Sequence, residues 1–159
     1  MPDTPAFLAQ RLMTEGEKAL AFFSNLKPEH WHIPIYSEGE IWTVRSVLAH
    51  FVTAERGFLE LFADIRSGGM GASEDFDIDH YNAHQQQKTS TLSPADLLAQ
   101  FRAVRAEMTA LVASFTEDDL AKQGRHPFLG LTTLAEMVKM VYRHNQIHLR
   151  DLRQLLVEP

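Results

Sequence analysis

The chain has 159 residues, 45% of them hydrophobic, and this amount of apolar material is enough for one sizeable core. We therefore expect a single domain over residues 1–159. The formal net charge is −6, which leaves no broad basic surface for a phosphate backbone, so the composition predicts no nucleic-acid partner. The absence of cysteine excludes disulfides, thiolate ligands and a cysteine nucleophile together. Any tightly bound transition metal must use His, Asp or Glu.

Membrane segments and export signals are not evident in the sequence. No stretch approaches the roughly 18 consecutive apolar residues that cross a bilayer. The start, MPDTPAFLAQRL, lacks the basic segment followed by an apolar one that is typical of a signal peptide. These features predict a soluble, cytoplasmic protein with no membrane partner.

Apolar residues recur at spacings of three and four in four long stretches, which predicts four helices. The first helix should run from about Thr4 to about Leu26, with Pro28 following as a stop. The second should begin after the N-cap Thr43 and end near the segment SGGMG, because glycine readily leaves the helical conformation.

A polar segment, SEDFDIDHYNAHQQQKTST, follows the second helix. It has too few apolar residues for a core element and is interpreted as a crossover, with a short helix from about Asp79 to Lys88. The third helix should open at Ser93 and Pro94, which suit the N-cap and the first turn, and should end near Ser114.

The last part of the chain predicts a short helical turn, a loop and a final helix. TEDD, from Thr116 to Asp119, starts the turn, and GRHPFLGL is the loop. Thr133 and Glu136 have the spacing of a capping box, and the fourth helix should cover about Leu134 to Leu156. Strand-like alternation is nearly absent. The sequence therefore predicts an all-α fold, a four-helix bundle with a long crossover connection.

His144 and His148 lie four residues apart in the fourth helix. At 100° per residue both fall within the apolar arc that contains Met137, Val141 and Leu155. A buried imidazole needs a partner for each ring nitrogen. A carboxylate or a carbonyl can supply one, and so can a divalent metal, which the i, i+4 spacing would let both rings bind.

His50 is the candidate third ligand, although it falls at the flank of the apolar arc of the second helix. Ala54 and Gly57 follow on the same strip, and their small size allows another helix to approach. Glu55 falls in the middle of that arc. It is interpreted either as the partner of an arginine such as Arg143 or Arg150, or as an acid that orients a ligand imidazole or moves a proton.

The remaining five histidines carry weaker signals. One pair repeats the i, i+4 spacing in the polar crossover, a second pair flanks Trp31 in a connector, and one histidine precedes Pro127 in a loop. They are interpreted as surface, entrance or loop residues. The crossover pair is His80 and His84, the pair beside Trp31 is His30 and His32, and the loop histidine is His126.

No motif for nucleophilic or phosphate chemistry is present. The chain lacks GxSxG, GxxxxGK[ST] and GxGxxG segments, and no Ser, Thr or Tyr stands at a telling spacing from a base. The functional prediction therefore depends on the histidines.

Three segments in this order, IWTVRSVLAHFVTAERGF, FDIDHYNAHQ and HPFLGLTTLAEMVKMVYRHNQIHLRDL, resemble the DinB/YfiT-like superfamily over essentially the whole chain. The resemblance implies a four-helix bundle with a crossover, often a homodimer, and a divalent metal, usually zinc or nickel, held by three histidines. Carried over by position, these are His50, His144 and His148. Open positions on such an ion would remain for water or substrate.

The resemblance also implies a range of activities, since relatives include thiol-dependent transferases and isomerases that use bacillithiol, mycothiol or glutathione. We expect a metal-dependent enzyme that activates a thiol or a water for attack on a small electrophile. Arg45, Arg143 and Arg150 are candidates for the carboxylates of a thiol co-substrate. A non-catalytic, stress-associated protein that binds a metal or small molecule is the alternative. A purely structural bundle, in which Glu55 and other acids satisfy the histidines, is the third possibility.

Overall fold

The computed structural model describes residues 3–37 and 41–157. Four long helices form a bundle, which confirms the predicted all-α class with a crossover connection. The helices are α1 (Pro5–Ser24), α2 (Val44–Arg66), α3 (Ile78–Lys88), α4 (Pro94–Ala113), α5 (Glu117–Ala121) and α6 (Leu134–Leu156), and a 3₁₀ turn covers Pro28–His32. The bundle consists of α1, α2, α4 and α6, while α3 belongs to the crossover between α2 and α4.

The helix starts were predictable because each has a hydroxyl N-cap. The side chains of Thr4, Thr43 and Ser93 accept hydrogen bonds from the backbone amides three residues further on. Thr133 does the same for α6, but Glu136 does not complete the expected capping box there: its carboxylate pairs with Lys139 one turn later. The start of α6 is therefore capped by the threonine and by the Lys122 carbonyl, which accepts from the Leu134 amide at 2.9 Å.

Two apolar clusters fill the bundle along its length. One is centred on Leu12, Met108 and Met137, and the other on Phe23 and Phe51, all of which are essentially inaccessible to solvent. The helix α4 packs against α1 and α2, and α6 packs against the same two helices on another side. None of the helices within the described residues combines the length and apolarity needed to span a bilayer.

A buried ion pair crosses the bundle between these clusters. The Arg105 guanidinium of α4 donates to both carboxylate oxygens of Glu55 on α2, at 2.8 Å each. It also donates to the Leu12 carbonyl of α1 at 2.9 Å and to the Asn145 side chain of α6. The interpretation of Glu55 as the partner of an arginine is confirmed, but the arginine is Arg105. Arg143 and Arg150, the examples expected, are exposed on α6. One guanidinium, carried by α4, is thus hydrogen-bonded to the other three bundle helices.

Two short hairpins depart from the purely helical prediction. The first pairs β1 (Pro34–Tyr36) with β2 (Trp42–Thr43), and the second pairs β3 (Gln123–His126) with β4 (Gly130–Thr133). The second occupies the segment predicted as a loop. Its tight turn is possible because Gly130 adopts a φ of 76°, a backbone conformation that residues other than glycine rarely adopt. Both hairpins lead directly into a long helix.

Candidate metal centre

Three histidine rings from two helices converge at one point. His50 comes from α2, and His144 and His148 come from successive turns of α6. The Nε2 atom of His144 lies 2.9 Å from Nε2 of His50 and 3.0 Å from Nε2 of His148. Within residues 3–37 and 41–157, these three form the one group of at least three metal-ligand side chains, with ligand atoms within 4.8 Å of one another.

Burial keeps these rings neutral. His50 is 8% exposed, and its pKa is lowered to about 3, first by desolvation and then by the nearby His148. Desolvation and the neighbouring histidines lower the pKa of His144 to about 2. The pKa of His148 is also lowered by burial, although Asp151 opposes that shift. Neutral rings retain the lone pairs that metal coordination requires.

Tyr36 and Asp151 fix the orientation of one ring. The Tyr36 hydroxyl donates to Oδ2 of Asp151 at 2.7 Å and lies 2.8 Å from Nδ1 of His148. Since the hydroxyl hydrogen is used on the carboxylate, Nδ1 of His148 must be the donor to the phenol oxygen. Its Nε2 then carries the lone pair that faces the other two histidines. Such a carboxylate-linked arrangement behind a ligand raises its basicity.

A divalent ion fits this donor set. Nitrogens 2.9 or 3.0 Å apart can both lie about 2.1 Å from a common point, which is a normal metal–imidazole distance. Three neutral nitrogen donors suit zinc, nickel and other borderline transition metals better than magnesium or calcium, which prefer oxygen. The three residues can therefore hold one ion without any carboxylate in direct contact.

A cavity of about 1200 Å³ opens beside the histidines. Its walls come from α2, α3, α6, the first hairpin and the turn of the second hairpin. Ala54 and Gly57, the small residues expected to admit another helix, line this space, and α3 approaches Gly57 through the Tyr81 hydroxyl. The charged side chains among the described lining residues are acidic, and these residues include no Lys or Arg. The acids are Glu60, Asp64 and Asp79.

His126 is a cavity residue that the sequence interpretation missed. It ends β3, is 2% exposed and stacks on Phe58, with ring centroids 5.1 Å apart. Its Nδ1 accepts hydrogen bonds from the amides of Phe128 and Leu129, both at 3.0 Å. Burial lowers its pKa to about 4. In the sequence it precedes Pro127 and begins the third segment that resembles the superfamily, and the loop assignment hid the hairpin that buries it.

The other histidines agree with their surface interpretation. His80 and His84 are exposed on α3 and, despite their i, i+4 spacing, belong to no metal-ligand group among the described residues. His30 uses Nδ1 to accept from the Lys27 amide within the 3₁₀ turn, and His32 is exposed there.

The arginines expected to hold a thiol co-substrate do not line the cavity. Arg45 is occupied by the carbonyls of Thr89 and Leu92, where it ties α2 to the connector before α4. Arg143 and Arg150 are exposed on α6 and do not line the cavity.

The sequence model of the DinB superfamily matches residues 11–152, most of the chain. The chain belongs to the DinB superfamily. No curated protein matches it. Family membership agrees with the four-helix bundle described above.

Solved structures of low sequence identity share the fold of this DinB superfamily protein. YfiT from Bacillus subtilis, described as a probable metal-dependent hydrolase with an unusual four-helix bundle topology, has a TM-score of 0.73 and 19% identity, covering 92% of this chain and 85% of YfiT. A mycothiol-dependent maleylpyruvate isomerase has a TM-score of 0.73 and 18% identity, covering 93% of this chain and 59% of the isomerase.

A third neighbour corrects one prediction. The colibactin self-resistance protein ClbS, crystallised in complex with a dsDNA, has a TM-score of 0.73 and 15% identity, and the match covers 99% of each chain. The prediction of no nucleic-acid partner, which was based on the net charge of −6, was therefore wrong. Net charge averages over the whole surface, whereas a duplex contacts one face, so an acidic total does not exclude such a partner.

Proposed function

We propose that His50, His144 and His148 bind one divalent ion, zinc or nickel by preference, and that the loaded chain is an enzyme acting on a small electrophilic substrate. The proposal is carried by one observation, the convergence of three neutral Nε2 atoms beside a cavity of about 1200 Å³. A bound ion would supply Lewis acidity and would lower the pKa of a coordinated water or thiol, since neutral ligands leave its double charge uncompensated.

The surrounding residues would hold the ligands and limit solvent around them. Tyr36 and Asp151 keep the His148 lone pair on Nε2, as the hydrogen-bond geometry requires. The ring centroids of Trp42 and His50 lie 5.0 Å apart, and those of Phe51 and His148 lie 5.9 Å apart. These aromatic contacts restrict ring rotation and create a low-dielectric surrounding, in which electrostatic catalysis is stronger.

The charges of the cavity favour water as the nucleophile. A thiol co-substrate with several carboxylates would need cations, and the described lining residues include no Lys or Arg. Glu60 and Asp79 at the wall are exposed and would not bind such carboxylates either. We therefore infer hydrolysis as the leading reaction and transfer to a weakly charged thiol as the second.

Metal analysis of the purified protein tests the site. We expect about one zinc or nickel ion per chain, and loss of that ion in His148→Ala with an unchanged helical circular dichroism spectrum. The matched control is His84→Ala, which removes a histidine of the same i, i+4 type from an exposed position. Equal metal content in the wild type and His148→Ala would contradict the assignment, and so would failure of the wild type to bind either ion.

Turnover assays test the activity separately. Metal-loaded protein is incubated with an activated ester such as p-nitrophenyl acetate, and with glutathione plus 1-chloro-2,4-dinitrobenzene. Ester hydrolysis that is lost on His148→Ala supports the leading reaction, and conjugation lost on the same change supports thiol transfer. Bound metal without turnover in a wider substrate screen would favour the alternative, a non-catalytic binding protein.

A further inference from the structure

His126 carries a hydrogen-bonding group that neither the fold nor the metal site uses. Its imidazole is 2% exposed and forms part of the wall of the cavity beside the three histidines. The Nδ1 edge faces its own turn, where two backbone amides donate to it. The Nε2 atom is buried and has no hydrogen-bond partner within residues 3–37 and 41–157.

The hydrogen bonds at Nδ1 determine the tautomer. Two amide donors require a lone pair on Nδ1, so the hydrogen of a neutral ring must be on Nε2. The ring is neutral near pH 7, because burial lowers its pKa to about 4. Stacking on Phe58 holds the ring plane in place. His126 therefore holds a fixed N–H donor that is buried in the cavity wall, where an acceptor reaches it only when the wall shifts, and a buried donor without an acceptor is costly and rare.

The composition of the cavity wall indicates which acceptor would suit this donor. Glu60, Asp64 and Asp79 line the cavity at exposed positions, and no Lys or Arg does so among the described residues, so without a metal the wall offers no cation to an anionic ligand. Trp42 and Phe128 offer aromatic surface for an apolar, planar body. A neutral carbonyl oxygen satisfies the donor without adding negative charge.

We propose that His126 is a substrate-positioning residue whose Nε2–H donates a hydrogen bond to the carbonyl oxygen of a neutral, largely apolar substrate. The role of His126 in a reaction rests on the proposed function. Its role in binding does not, because the turn and Phe58 fix the donor without a metal. The proposal names a substrate class: neutral aromatic or aliphatic amides, esters and ketones.

Benzamide is a suitable probe, because it joins a neutral carbonyl to a planar apolar ring. The full chain, labelled with ¹⁵N-histidine, is titrated with benzamide in metal-free and metal-loaded forms. NMR should find His126 in the Nε2–H tautomer, and benzamide should shift its Nε2 resonance in both forms. An Nδ1–H tautomer would overturn the proposal, as would an Nε2 resonance that saturating benzamide leaves unmoved or an absence of benzamide binding.

Two variants separate positioning from a structural role. In His126→Asn the amide oxygen can replace Nδ1 in the turn while the cavity donor is lost, so the thermal midpoint should be kept and the benzamide Kd should rise about tenfold. In His126→Gln the amide nitrogen can replace the Nε2 donor while the turn acceptor is lost. Its thermal midpoint should fall, with a benzamide Kd closer to that of the wild type.

The opposite ranking would contradict the inference. If benzamide affinity follows the thermal midpoint, so that Asn binds as well as the wild type and Gln binds worse, His126 only supports its turn. The metal content of each variant is measured alongside. If the protein binds benzamide but no metal, the proposed function is refuted and the role of His126 is supported. If it binds metal but the His126 resonance does not respond to benzamide, the role of His126 is refuted and the metal site is supported.

Discussion

Replacement of Glu55 by Met should strongly destabilise the bundle, because it leaves the Arg105 guanidinium buried without its counter-charge. The two side chains are 3% and 5% exposed and share two hydrogen bonds of 2.8 Å. Removal of one partner of such a pair costs about 3–5 kcal/mol. In a chain of this size each kcal/mol lowers Tm by about 2–4 °C, so the midpoint should fall by on the order of 10 °C.

The double variant Glu55→Met/Arg105→Met should be more stable than either single variant. With both charges gone, the apolar side chains can fill the space, and replacement of a buried pair in this way is often nearly neutral. The Leu12 carbonyl and the Asn145 side chain would still lose their donor, at about 1 kcal/mol each. The coupling energy between the two substitutions should therefore be about 2 kcal/mol or more.

Urea denaturation of the four metal-free proteins measures this cycle. A loss below about 1 kcal/mol in Glu55→Met, or additive effects of the two substitutions, would refute the reasoning. Zinc titration of folded Glu55→Met adds a second test. Both Glu55 oxygens are bonded to Arg105, so the roughly 10–100-fold loss of affinity expected for an acid that orients a ligand should not occur.

Three further predictions concern the metal site, pH and packing. Tyr36→Phe should weaken zinc binding by about 10–100-fold with little loss of stability, because His148 loses its orienting partner; competition with a chelator measures this. The metal-free protein should lose stability as pH falls from about 6.5 to 4. His126, with a folded pKa of about 4, stays neutral there while the unfolded chain takes up a proton, so the unfolding free energy against pH should be flatter in His126→Asn. Gly16→Ala should cost about 1–2 kcal/mol in urea denaturation, since its Cβ would lie 2.8 Å from Cγ of Arg105. Gly57→Ala is the control, because its Cβ would meet only the hydroxyl end of Tyr81, at 3.1 Å, and equal losses in both would contradict the packing argument.

The sequence predicted the elements of the bundle well because their signals are local. Hydroxyl N-caps such as Thr43 and Ser93 mark the helix starts within one residue, and helical phase placed His144 and His148 near the buried side of α6, where both are half-buried. Leu155, expected on the same arc, is 38% exposed. His50 was ambiguous by phase, and the family resemblance supplied it. That these three bind a metal stays a prediction.

What the sequence did not predict depends on contacts between distant segments. Tyr36 and His148 are 112 positions apart, and nothing near either residue indicates the other. Arg105 was not considered as the partner of Glu55, because the choice among arginines depends on how α2 and α4 face each other. His126 was missed for another reason: a four-residue strand is too short to produce a recognisable alternation.

One of the two residues that orient His148 lies outside the helix that carries this ligand. Tyr36 stands in the connector between α1 and α2, outside the bundle, and reaches across to His148 and Asp151. Connectors accept substitutions and changes of length more readily than packed helices do. The electronic character of a bound ion could therefore be altered by changes in this connector alone, while all three histidines and the core remain the same. For protein design, the connector is therefore a place where the reactivity of a bound ion can be changed without altering the bundle.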